Sequence, residues 1–146
     1  MYNGLVHAHS GLRWIVLFLL IYAVYNAFSK KNNGTEWTDK DKKLTLFAMI
    51  FTHIQLLIGV VLYFISPLVN FSEGFMKNPV YRFYSVEHIS LMLVAIALIT
   101  VGYSKSKRAT ESAKKFGAVA MFYLIGLVLI LVSIPWPFRN LGAGWF

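Results

Sequence analysis

The sequence predicts an all-α fold, a transmembrane up-down-up-down four-helix bundle with both termini on the outer side. Three observations carry this. Of the 146 residues 58% are hydrophobic and 16% aromatic, too apolar for a soluble core of that size. Four runs each reach the roughly 20 apolar residues that cross about 30 Å of hydrocarbon. The bases then fall in two clusters: Lys30, Lys31, Lys40, Lys42 and Lys43 between runs one and two, and Lys105, Lys107, Arg108, Lys114 and Lys115 between three and four. The positive-inside rule puts both clusters in the cytoplasm, and with them the orientation is set.

Residues 1–146 therefore read as a single domain with spans at about 5–28, 43–66, 80–104 and 115–134. Span one is expected to be a permanent helix rather than a signal peptide: no Lys or Arg precedes its apolar stretch, and "NAFSKKNNG" after it lacks a small-x-small cleavage site. Asn-Gly turn chemistry follows, and Thr38 or Asp39 is a cap for span two, which Pro67 ends. Asn78-Pro79 reads as an N-cap with proline at the first helical position, so helix three starts before the hydrocarbon. Pro135 and Pro137 stop span four, with Trp136 and Phe138 suited to the interface. Short connections make successive helices antiparallel neighbours.

Composition also excludes several functions. With no cysteine there are no disulfides, thiolate metal sites or iron–sulfur clusters. The net charge of +8 follows from topology and attraction to anionic membrane lipid, so nucleic acid is not an expected partner. There is no Gly-rich phosphate loop, nucleophile elbow or HExxH motif, and six acidic residues are too few for a carboxylate metal cage. The "HAH" pair with Met1 is a weak copper signal.

All four histidines, His7, His9, His53 and His88, fall in or beside the spans, where polar groups are costly and mark function by default. A rise of about 1.5 Å per residue sorts them by depth. His7, His9 and His88 share the outer level, whereas His53 lies roughly 20 Å below the outer end of span two. His7 and His9 point in nearly opposite directions on a helix. His9 has Arg13 at i+4, and an intramembrane arginine must face protein, water or an anion, so His9 is the inward one. Two imidazoles from spans one and three of a bundle suit haem b, with His9 and His88 as axial ligands and Arg13 and Arg82 as propionate partners. The plainer reading is a polar cluster of His9, Arg13, Glu87 and His88 locking the two spans.

By depth His53 matches Tyr22 and Tyr25 on span one, Thr100 or Tyr103 on span three, and Tyr123 on span four. It reads first as a hydrogen-bonded buried histidine, and alternatively, with Gln55 and Tyr123, as a polar or quinone site. Gly59, Gly102 and Gly117 read as small-residue packing, and Met92, at i+4 from His88, as core filler beside the site.

The segments "HSGLRWIVLFLLIYA", "HIQLLIGVVLYFISP", "RFYSVEHISLMLVAIALITVG" and "IPWP" together resemble a family of small four-span, cytochrome b-like membrane proteins of Bacteroidota. The chain is also similar, more weakly, to one four-helix half of haem A synthase, in which histidines two helices apart ligate haem and a Q-x-x-x-G helix lies between them. His9 and His88 take those places, with Gln55 and Gly59 on the intervening helix. Haem A synthase joins two such halves and carries a catalytic carboxylate, where this chain has one half and only Glu87. The resemblance thus implies haem binding rather than haem A synthesis.

The expected function is a multi-pass b-type haem protein of the bacterial inner membrane that transfers electrons, with quinone or another membrane redox protein as partner. The alternative is a cofactor-free subunit or scaffold, in a homo-oligomer or a larger envelope complex.

Overall fold

The computed structural model describes all residues, Met1–Phe146. Four long helices follow one another: α1 (Tyr2–Lys30), α2 (Asp39–Ile65), α3 (Pro79–Arg108) and α4 (Ser112–Ser133). All four are long and apolar enough to cross a membrane. The chain is thus an all-α multi-pass membrane protein, and the helices form the expected bundle.

Helix α1 packs on α2 and α4, and α3 on α2 and α4, so α1 and α3 face each other across the diagonal. The outward faces carry exposed Phe18, Leu57, Phe64 and Val132, which suit lipid tails rather than water.

Local chemistry sets the helix starts. Thr38 caps α2 in a reciprocal box: its backbone N–H and hydroxyl both donate to the Asp41 carboxylate, at 3.0 and 2.7 Å. Asn78 caps α3 by accepting from the Val80 and Tyr81 N–H groups, with Pro79 in the first turn.

Asp41 also ties α1 to α2. Its other oxygen accepts from Asn26 Nδ2 and Lys30 Nζ, each at 2.7 Å, and the residue is 2% exposed. A buried carboxylate with four donors is stable where an unpaired one is not.

Helices α3 and α4 approach closely because glycines leave room. A methyl at Gly126 would stand 2.6 Å from Ile99 Cγ1 and 3.1 Å from the Ala95 carbonyl, and one at Gly102 would stand 2.5 Å from Phe122 Cβ. Gly102 thus serves helix packing, whereas Gly117 has no neighbour within 4 Å.

Helix α3 is not uniform. Between Pro79–Arg82 and His88–Arg108 lies one π-helical turn, Phe83–Glu87, in which the His88 N–H donates to the Phe83 carbonyl five residues back. The adjoining loop fastens this turn. Ser85 Oγ accepts from the Asn70 N–H and donates to its carbonyl, at 2.9 and 3.1 Å, while the Tyr63 hydroxyl donates to the Ser85 carbonyl at 2.9 Å.

Buried side chains concentrate in the half of the bundle nearer the basic loops. In α2 they are Asp41, Thr45, Ala48 and Thr52, with none beyond; in α1 they begin only at Arg13. Leu20, Ile99, Phe116, Val119 and Tyr123 fill that half to near-zero exposure. The other half is built differently.

Candidate functional site

In that other half the helices enclose a cavity of about 290 Å³ lined by His9, Arg13, Gln55, Gly59, His88 and Met92, among others. This size stands at the lower bound of small-molecule sites, about 300 Å³.

His9 and His88 meet across it. Their ring centroids are 6.5 Å apart, with planes at 74°. At that separation the two rings could together hold one metal centre between them. Edge-to-face ring packing spans the same distance.

His88 Nδ1 lies 2.8 Å from the Ser133 carbonyl, an acceptor only. Nδ1 must therefore carry the proton, which leaves Nε2 with a free lone pair. This is the usual arrangement of a metal-ligating histidine. Phe83 of the π turn lies against the same ring, with centroids 5.6 Å apart.

His9 is placed by α2. A methyl on Gly59 would stand 3.1 Å from His9 Cε1, so a side chain there would require the imidazole to give way by a few tenths of an ångström. One turn earlier, Gln55 Nε2 donates to the His9 main-chain carbonyl at 2.7 Å.

Three buried polar atoms have no hydrogen-bond partner: His9 Nδ1, Arg13 Nε and Gln55 Oε1. All three belong to residues that line this one cavity. Buried polar groups are otherwise nearly always paired, and these three lie together on the wall of one cavity.

Arg13 adds a charge argument. It is 7% exposed and forms no ion pair with any carboxylate. Its Nη2 donates to the Trp145 carbonyl at 2.7 Å, and its guanidinium stands 5.3 Å from the Trp14 ring and 5.7 Å from the Trp136 ring. Aromatic faces offset part of its desolvation, and an anionic ligand would offset the rest.

The other expected site residues go elsewhere. Arg82 pairs with Glu87 at 2.7 Å and donates to the Met76 carbonyl, outside the cavity lining. The π turn explains the difference: its additional residue rotates what precedes it by about 100° relative to His88. Depth put Arg82 at the right height but on another face. Glu87, held by Arg82, is not part of a lock with Arg13.

His53, Gln55 and Tyr123 do not converge. His53 Nδ1 bonds the Met49 carbonyl at 2.8 Å and its Nε2 meets Thr100 Oγ1 at 3.2 Å, which bridges α2 to α3 at the shared depth. The Tyr123 hydroxyl donates to the Thr45 carbonyl at 2.8 Å in the packed half. Only Gln55 of the three faces the cavity. His7 is exposed at the cavity rim.

Sequence reasoning missed Ser133 as the partner of His88, and Trp145 as that of Arg13. Their shortest contacts are made by backbone carbonyls, which leave no residue-type signal, although Ser133 Oγ also lies 3.3 Å from His88 Nδ1.

Fold and site together define a multi-pass membrane four-helix bundle with a histidine-lined cavity in one half. No family model, curated protein or solved structure matches the chain significantly.

Proposed function

We propose that this protein is a b-type haem protein of the bacterial inner membrane, with His9 and His88 as its two axial ligands. The observation that carries the reading is the facing pair itself: two imidazoles 6.5 Å apart across a cavity, one with its Nδ1 proton committed to a carbonyl.

The donor set favours haem over a bare metal ion. No three His, Asp or Glu side chains converge anywhere in the fold. A protein-bound zinc needs three or four such ligands, whereas a macrocycle supplies four equatorial nitrogens and asks the protein for two. Haem carboxylates would also answer the unpaired charge of Arg13.

Haem held by two histidines cycles between ferric and ferrous iron, and so moves single electrons. The protein's own residues do the rest. Ser133 orients His88, Gly59 gives His9 its place, and Arg13 supplies a cation beside the site. By the positive-inside argument the histidine end faces outward, so electrons would pass between the quinone pool or a membrane partner and an outer acceptor.

The test is the visible spectrum of protein purified from haem-supplied cells. A Soret band with sharp α and β bands on dithionite reduction is expected. His9→Ala and His88→Ala should each abolish the sharp bands, with partial return on adding free imidazole, while His53→Ala keeps them. A colourless preparation would overturn the proposal and leave the cofactor-free subunit.

A further inference from the structure

At the opposite, basic end of the bundle lies a second cavity, of about 150 Å³, lined by Trp37, Lys42, Tyr103, Ser106, Lys107 and Lys115. We propose that it binds a phosphate oxyanion, as carried by the headgroup of an anionic lipid or by free phosphate.

Three helices each contribute one lysine: Lys42 from the first turn of α2, Lys107 from the last turn of α3 and Lys115 from the first turn of α4. None is in an ion pair, and no carboxylate lines the cavity. The neighbouring acids are committed elsewhere, Asp41 to Lys30 and Glu111 to Lys114. Lys42 and Lys107 are exposed and Lys115 half-buried, so water screens their mutual repulsion, while an anion entering the space would meet all three cations.

The remaining walls are built to receive it. Trp37 and Tyr103, whose indole N–H and hydroxyl make no hydrogen bond within the protein, line the same space. Trp37 is itself held in place: its backbone N–H donates to Ser112 Oγ at 2.8 Å, and its ring stands 4.8 Å from that of Phe116. Lys115 is steered by donating to the Ser106 carbonyl at 3.0 Å. Basic pockets between helix ends at the membrane surface are a recurrent form of phospholipid headgroup site.

The experiment is native mass spectrometry of the full chain released from micelles doped with phosphatidylglycerol or with phosphatidylcholine. Wild type should retain a single phosphatidylglycerol adduct and no phosphatidylcholine. The triple variant Lys42→Gln, Lys107→Gln, Lys115→Gln should lose the adduct, and a control with Lys31→Gln, Lys40→Gln and Lys43→Gln, of equal charge change at the same end, should keep it. If the triple variant does not accumulate, Lys107→Gln alone, which breaks no hydrogen bond of the fold, gives the same comparison. Inorganic phosphate that displaces the lipid adduct and protects against thermal unfolding as well as the lipid does would identify free phosphate as the source. Equal retention of both lipids, or equal loss in pocket and control variants, would overturn the proposal.

Discussion

Gln55 donates from its side-chain amide to the main-chain carbonyl of His9, 2.7 Å away, and so joins α2 to α1 beside the imidazole itself. The donor end of the amide is thereby used, while Gln55 Oε1 and His9 Nδ1 are both left buried and unpaired. On the proposed haem reading His9 would ligate through Nε2 and keep its Nδ1 proton, for which Gln55 Oε1, an acceptor on the lining of the same cavity, would be available after a side-chain shift.

Replacing Gln55 with Leu should therefore weaken haem retention by about 10–100-fold, the usual cost of losing an outer-shell partner. It should also raise the midpoint potential, because an imidazole without an acceptor is less basic and supports ferric iron less well. Redox titration of Gln55→Leu beside Gln55→Glu checks the sign, since the carboxylate should lower the potential.

Gly59 and Gly117 form a matched pair for a second measurement. Alanine raises helix propensity by about 1 kcal/mol at either position. At Gly59, however, the added methyl stands 3.1 Å from His9 Cε1, whereas at Gly117 nothing lies within 4 Å. Gly59→Ala should displace the imidazole and broaden or reduce the sharp bands, while Gly117→Ala leaves the spectrum intact and the protein as stable or slightly more so.

A third expectation concerns Arg13. On the proposed haem reading a cation beside the site would favour the reduced state, so Arg13→Gln should lower the midpoint potential by on the order of tens of millivolts. Arg13→Lys keeps the charge but loses the fork that reaches the Trp145 carbonyl. It should keep the potential close to wild type and bind haem less tightly.

The spans, the Asn78 cap and the pairing of His9 with His88 were legible because each rests on short-range rules, namely length, capping and rise per residue. What escaped depends on contacts distant in sequence. Arg13 meets Trp145, Ser85 meets Asn70, and neither pairing alters the hydrophobic period of its helix. The π turn at Phe83–Glu87 has no compositional mark, yet it turned Arg82 toward Glu87. Gly126 carries nothing in the sequence around it that signals its close approach to Ile99.

Asp41 gives a prediction about stability alone. Asp41→Ala removes the acceptor for Thr38, Asn26 and Lys30 together, and should cost about 2–4 kcal/mol. The haem spectrum of whatever protein folds should be unchanged, because this carboxylate lies at the opposite end of the bundle from the histidines. Thermal unfolding followed by circular dichroism, read beside the Soret band, separates the two effects.

The uneven distribution of buried side chains carries a consequence for what loss of the cofactor does to the fold. The half of the bundle near Asp41, Phe116 and Tyr123 is closed by its own side chains, while the half around His9 and His88 is walled but not filled. The core that seats the four helices thus lies apart from the proposed haem site. On that reading, variants that lose the cofactor should keep this core and most of their helix content, so that loss of the Soret band and loss of fold are separate events.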